Sequence, residues 1–300
     1  MKIWEFAKVN GSSIKVDNWM SETLGLVEGG CLYSTLFKHP EAGPKDYEII
    51  LSMFPQENYR TLTHMTMYLD DVPGSSAQAA SFLANRGINI LNSVSLNGIS
   101  DTVIVWKLMA DLNFAGEADI LRDAFESLKA DNDESVSKIR RIDIKPAEIG
   151  RLLKGTTAGK QELRRGYPTT LVDGCFDVSK IYGDLLPDID GKNVLITMDA
   201  DTWVLSITFF KDGTDLIKVG MEIPDCPGGI TQALSVIAGW NVNLISVFSQ
   251  VKISYQTMYL ELVMDIRDSD MSAEDIKTEI PKVIEDLNGV FKLQEFIHFE

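Results

Sequence analysis

No stretch of the 300-residue chain approaches the run of about eighteen apolar residues that a membrane-crossing helix needs. The opening Met1-Lys2-Ile3-Trp4-Glu5 also lacks the charged-then-apolar layout of a signal peptide. These absences set the expectation of a soluble, cytoplasmic protein. Cysteine is scarce: Cys31, Cys175 and Cys226 are the three present, and none sits in a CxxC pair, so neither a zinc site nor a disulfide framework is suggested. The histidines His39, His64 and His298 are scattered, whereas a zinc or iron centre needs clustered ligands. Basic residues are the minority charge, 28 Lys and Arg against 44 Asp and Glu, for a formal charge of −16. Phosphate neutralisation needs clustered cations, so a nucleic-acid-binding face is not expected. The acidity reads as a self-repelling, soluble surface. No GxSxG, HExxH or GxGxxG motif occurs in context, and no nucleophile–base pairing can be argued. The expectation is a non-catalytic protein without cofactor or metal, touching neither nucleic acid nor membrane.

What the chain does have is an internal repeat, the feature to seek first because it decides the architecture. Asp71-Val72-Pro73-Gly74 recurs as Asp225-Cys226-Pro227-Gly228, and Gly87-Ile88-Asn89-Ile90 faces Asn241-Val242-Asn243-Leu244, both at an offset of 154. Residues 71–112 align onto 225–266 without a gap, and thirteen of the 42 positions are identical, Gln78/Gln232 and Ser81/Ser235 among them. Chance gives roughly two or three at ordinary residue frequencies. Upstream, Ile50-Leu51-Ser52-Met53 faces Val204-Leu205-Ser206-Ile207 at the same offset, and Val16-Asp17 resembles Val172-Asp173 at 156. A duplicated unit of roughly 150 residues is the simplest account, with the join near 146–166.

Within the first copy, Leu62–Leu69 alternates as a strand. Asp70–Gly74 is a turn. Ser75–Arg86 carries Ala79, Phe82 and Leu83 on one face, and Gly87 closes the helix. Ile88–Leu96 and Thr102–Met109 read as strands, Glu117–Lys129 as an amphipathic helix and Val136–Ile144 as a last strand. The order is βαββαβ, a ferredoxin-like arrangement. The second copy repeats it over 215–300. Each copy follows a smaller strand/helix leader: helices are expected at Asn18–Glu28 and Asp177–Leu186, and hairpins at Leu32–Lys38/Tyr47–Phe54 and Asn193–Asp199/Thr202–Phe210. Each leader is either a worn-down relative of the same fold or a set of strands widening the sheet. The fold class expected is α+β, divided as leader 1–60, module 61–145, linker 146–166, leader 167–214 and module 215–300.

A strand, Asp-x-Pro-Gly, a helix and then Gly-Ile-Asn-Ile opening the next strand resembles the signature of ACT domains. Asp71, Pro73, Gly74, Gly87 and Asn89 carry the resemblance in the first copy, and Asp225, Pro227, Gly228 and Asn243 in the second. It covers about residues 61–145 and 215–300. The resemblance implies modules that pair side by side and bind amino acids near this loop. The loop chemistry agrees: Pro fixes the turn, Gly allows close approach, and a helix N-terminus suits a carboxylate. Asp71 or Asp225 can receive an ammonium group, and Asn89 or Asn243 can bridge the ligand or a neighbouring module. The same residues also suit a plain capped turn, with the asparagines bonding only backbone. Ser75-Ser76 in one copy faces Gly229-Ile230 in the other, so at most one copy is expected to bind tightly.

Other candidates read as structural. Gly155–Gln161 is one residue short of a phosphate loop and lacks its Ser or Thr. Arg164-Arg165, with Arg151, Lys154 and Lys160, make a basic stretch that reads as docking on an acidic face of its own protein, with a phosphate-bearing ligand as the alternative. Asp188, Asp190, Asp199 and Asp201 read as solvated turns, and Trp106, Trp203 and Trp240 as core or interface filling. The expected function is regulatory: sensing an amino acid or similar small molecule and passing the signal through homo-oligomer assembly or to a metabolic enzyme partner. The alternatives are a regulatory subunit of an amino-acid biosynthetic enzyme, and an enzyme with its site in the leaders.

Overall fold

The structure, a computed structural model, describes residues 2–41, 43–53, 62–97, 102–112, 118–146, 159–200, 203–284 and 292–299. In the first half the elements are β1 (Lys2–Lys8), β2 (Ser13–Lys15), α1 (Asn18–Thr23), β3 (Leu32–Lys38), β4 (Lys45–Ser52), β5 (Leu62–Asp70), α2 (Ser75–Ala84), β6 (Asn89–Asn97), β7 (Val103–Asp111), α3 (Ala118–Ala130) and β8 (Ile139–Pro146), with a 3-10 turn at Glu134–Val136. The second half contains β9 (Gln161–Thr169), β10 (Cys175–Asp177), α4 (Ser179–Tyr182), β11 (Asn193–Asp199), β12 (Val204–Phe210), β13 (Leu216–Pro224), α5 (Gly229–Ala238), β14 (Asn243–Ile253), β15 (Thr257–Asp265), α6 (Ala273–Ile284) and β16 (Lys292–Phe299). Two compact units divide the chain: Met1–Pro40 with Tyr47–Phe209, and Glu41–Asp46 with Phe210–Glu300.

Both modules have the expected topology. Their sheets run β6-β7-β5-β8 and β14-β15-β13-β16, all antiparallel, with the first and third strands of each module central. The alternation decides which face is buried. Met65, Met67 and Leu69 of β5 point at Phe82 and Leu83 of α2 and Phe125 of α3, and the Phe82 and Phe125 rings meet edge to face at 5.9 Å. The second module places Val219, Met221 and Ile223, the same positions 154 residues on, against Ala233, Ile237, Ile276 and Ile280. Each fully buried side chain of this kind contributes about 1.5–3 kcal/mol. Trp106 lies in the first of these cores, and Trp240 packs against the second.

The leaders are where expectation and structure part. They do not form two subdomains. Their hairpins β3–β4 and β11–β12 join in one six-stranded sheet of order β1-β11-β12-β4-β3-β9, over one shared core. The outer strands are exchanged: β1 of the first half pairs with β11 of the second, and β9 of the second half pairs with β3 of the first. The central strands of this sheet are buried on both faces and read as near-continuous apolar runs, although the β3–β4 and β11–β12 pairings are antiparallel. In β4, Ile49 and Leu51 face the shared core, while Ile50 turns the other way to join Phe37, Val204, Leu62 and Met109, with Trp203 against them.

The leader repeat runs at an offset of 162. Buried Val9/Leu171, Ile14/Phe176, Val16/Val178, Met20/Tyr182 and Leu24/Leu186 correspond. So do two hydrogen bonds: Gly29 N donates to Leu171 O and Gly191 N to Val9 O, at 3.2 and 3.0 Å. The match of Val16-Asp17 to Val172-Asp173 is therefore overturned. Val16 follows β2 into the core, whereas Val172 is exposed and Asp173 holds a left-handed turn. The expected leader helices shrink to six and four residues; Leu24 caps the first and Gly25 follows at a φ of 64°. Residues 161–166, expected as linker, belong to β9, and residues 147–158 lie outside the described residues. That also removes most of the Gly155–Gln161 stretch from view, with Asp201 likewise outside. Among the described residues no helix is long and apolar enough to cross a membrane.

Candidate functional site

In the first module β5 ends at Asp70, and the chain turns through Asp71-Val72-Pro73-Gly74 into α2. Ser75 N and Oγ both donate to the Val72 carbonyl, at 3.3 and 2.9 Å, which buries the Ser75 side chain in the turn. Gly74 sits at φ 90°, a conformation that side chains rarely adopt, and its carbonyl accepts the first helical bond from Gln78 N. Ser76, next along, is exposed.

The space in front of this turn is occupied by the chain itself. Lys138 Nζ donates to the Pro73 carbonyl at 2.8 Å and stands 3.2 Å from where a Gly74 Cβ would be. Gln78 fixes that lysine's segment, accepting from Lys138 N at 2.7 Å and donating to Glu134 O at 2.6 Å. Arg140 clasps Asp70 and the Thr102 carbonyl. Asp71 takes part in the turn through its amide, which donates to Thr102 O.

The second module builds the same turn differently. Gly228 again holds φ 90°, Gln232 N donates to its carbonyl, and Gly229 N donates to Cys226 O. Gly229 is obligatory: a Cβ there would lie 2.6 Å from the Pro224 carbonyl. Nothing among the described residues lies within 4 Å of a Cβ built on Gly228. Instead a cavity of about 470 Å³ opens there, lined by Asp225 through Gly228 with Ile230, Thr231, Tyr255 and Met258. One Asp225 carboxylate oxygen accepts from Tyr255 N at 2.6 Å. This positions Tyr255, itself at φ 59° and almost fully exposed, over the rim.

Four of the expected residues thus converge on one cavity: Asp225, Pro227, Gly228 and Ile230. Gly229 supports them from beneath. Asn89 and Asn243 do not join their loops. Each opens an edge strand opposite Asp111 or Asp265, whereas the loops lie at the other ends of those strands, roughly 25 Å away at about 3.3 Å per residue. Within one module neither asparagine can bridge a ligand held at the glycine turn. No sequence motif marked Lys138, which follows a 3-10 turn, Cys226 and Thr231 of the loop and first turn of α5, Tyr255 within the β14–β15 turn, or Met258 on β15. The only signal was Gln78, which recurs as Gln232.

Several polar clusters elsewhere pair within the chain. Three members of the basic stretch pair within the chain, Lys160 with Glu48, Arg164 with Asp184 and Arg165 with Glu162, while Arg151 and Lys154 lie outside the described residues. Asp190 accepts from Gly11 N, a turn contact. On the second module's sheet, Lys218 lies between Glu261 and Glu295, and Tyr259 donates to Glu261. Burial, then these carboxylates, push the Tyr259 hydroxyl up. Burial likewise pushes Tyr182 up to about 12, although its hydroxyl bonds Ser34 in the shared core.

No protein-family model matches this sequence, and no curated protein matches it. Among solved structures, the acetolactate synthase small subunit from Thermotoga maritima is 8% identical over 79% of this chain and 92% of that one, with a TM-score of 0.20. The regulatory subunit of aspartate kinase from Thermus thermophilus is 10% identical over 76% and 93%, with a TM-score of 0.22. Prephenate dehydratase from Arthrobacter aurescens, in complex with L-Phe, is 12% identical over 87% and 65%, with a TM-score of 0.23. Likeness at those TM-scores carries no argument. The assignment rests on the strand orders themselves, which make the chain an α+β protein with two ferredoxin-like βαββαβ modules, the topology that the ACT resemblance implies.

Proposed function

We infer that this protein is a non-catalytic regulator that senses an amino acid or similar small metabolite at the Asp225–Gly228 loop of its second module. One observation carries the reading: the two modules share a turn and a glycine at φ 90°, yet Lys138 occupies the first and a cavity of about 470 Å³ fronts the second. The cavity falls within the usual range of small-molecule sites, about 300–1,000 Å³. Its floor is the N-terminus of a ten-residue helix, whose free N–H groups and dipole favour a carboxylate. Asp225 keeps acceptor capacity for an ammonium group beyond its bond to Tyr255, since a carboxylate offers about four lone-pair sites. Ile230 and Met258 supply an apolar wall for a side chain.

The first module acts as support and pairing surface. The signal passes through assembly of copies of this chain, or to a metabolic enzyme partner, in the cytoplasm. Strand β14, an eleven-residue sheet edge with exposed Val247, Val251 and Ile253, suits such pairing because an edge presents unpaired backbone groups. Thermal-shift and calorimetric titration of the full chain against the twenty amino acids tests the reading. A saturable response to one of them, abolished by Gly228→Val, is expected. No response to any amino acid or nucleotide removes it.

A further inference from the structure

The shared leader domain holds a larger cavity, of about 700 Å³, whose wall carries Cys31 from the first half and Cys175 from the second. Their spacing in sequence relates them in no way; the exchanged strands bring them together. Cys31 precedes β3, where Leu32 pairs with Thr169, and Cys175 opens β10, bridged to Val172 by backbone bonds of 2.9 and 3.0 Å. Both cysteines therefore border the same short stretch of chain, Thr169 to Val172. The two cysteine-bearing segments are also bonded directly. The Glu28 carboxylate accepts from the Asp173 and Gly174 amides at 2.9 and 3.4 Å, and Gly29 N donates to Leu171 O at 3.2 Å. Cys31 is exposed and Cys175 half-buried, and both are free thiols.

We propose that this cavity is a thiol-modification site, in which Cys31 exchanges with a low-molecular-weight disulfide such as glutathione disulfide and Cys175 resolves the product. The thiolate is the attacking species in both steps. Cys31 sulfur attacks one sulfur of the oxidant, the oxidant's S–S bond breaks, and one glutathione thiolate leaves as a mixed disulfide forms. Cys175 sulfur then attacks the Cys31 sulfur and expels the second glutathione, leaving a Cys31–Cys175 bond. Two protein thiols are oxidised, one disulfide is reduced to two thiols, and the two protons lost by the cysteines are taken up by the glutathiones. Exposure orders the steps, because access to the thiol governs the first attack. A cavity of this size admits a tripeptide thiol. A disulfide holds its Cα atoms within about 7 Å, so oxidation draws the Val172–Cys175 turn and the Gly29–Cys31 loop together over the cavity. Reversible bonds of this kind are the form in which cytosolic disulfides act as redox sensors.

The test is titration of the full chain with glutathione disulfide, read by thiol counting and non-reducing peptide mapping. Titratable thiols are expected to fall from the three present to one, with Cys31 linked to Cys175 and Cys226 free. In Cys175→Ser the reaction stops at a glutathionylated Cys31, and in Cys31→Ser no intramolecular bond forms, with circular dichroism confirming that both variants fold. Three thiols that stay titratable overturn the proposal. So does a Cys226 that reacts as readily as Cys31, or a bond that joins two chains instead of one. The wild-type peptide map decides the matter even where a serine variant fails to fold.

Discussion

Glu48→Gln breaks a buried ion pair that joins the two halves of the leader sheet. Glu48 lies on β4, and Lys160 reaches it across β3 from the start of β9, so the pair staples three strands drawn from both halves. Both side chains are only 10% exposed, and His39 Nε2 lies 3.4 Å from the same carboxylate oxygen. Burial alone would raise the Glu48 carboxyl, but His39 and the Lys160 charge outweigh it and hold it below the usual carboxylate range. Glutamine keeps the shape and removes the charge, leaving the Lys160 ammonium buried without a counter-ion. Breaking a buried pair in this way costs about 3–5 kcal/mol, against about 0–1 for an exposed pair. At about 2–4 °C per kcal/mol for a unit of this size, the melting temperature falls on the order of 10 °C. Urea unfolding followed by tryptophan fluorescence reads the change. The pH dependence has a definite sign. A depressed folded-state value means the contribution is full above the unfolded value near 4.5 and is lost as pH falls through the folded one. Wild type and variant therefore converge in acid. A loss below about 1 kcal/mol at neutral pH, the value of a solvated pair, would refute the reasoning.

Gly74→Ala and Gly228→Ala each force a side chain to φ 90°, so each costs about 1–3 kcal/mol of stability by thermal melting, while only Gly228→Ala weakens amino-acid binding; equal losses of binding would sink the proposed asymmetry. Lys138→Ala empties the space before Gly74, and calorimetry of that variant is expected to show a second, weaker site per chain. Phe176→Ala removes a fully buried ring from the second half and costs about 3–5 kcal/mol; because the leader core is shared, hydrogen exchange should accelerate in β1 and β3 of the first half as well.

The two modules are legible in the residues alone. Their strands alternate, their helices bury one face, and the turn glycines recur at a fixed spacing, all of which are local signals that survive without knowledge of contacts. Met65, Met67 and Leu69 and their partners 154 residues on are legible for that reason. The loop residues Asp225 and Gly228 were legible too, since a left-handed turn before a helix constrains residue type locally. Pairing between distant segments, by contrast, emerges only from the folded chain. Strands β1 and β9 are not alternating apolar runs; their partners come from the opposite half, and backbone pairing leaves no mark on the residues that make it. The leader repeat survived as buried volumes, Ile14 for Phe176 and Met20 for Tyr182, rather than as identities, because a core selects for apolar fill before exact residue. The same holds for function. Which glycine loop is open depends on Lys138, sixty-four residues from Gly74, and which cysteines share a cavity depends on strands exchanged between halves. Turn chemistry is written in neighbouring residues; the space in front of a turn is set by whatever the rest of the chain folds against it.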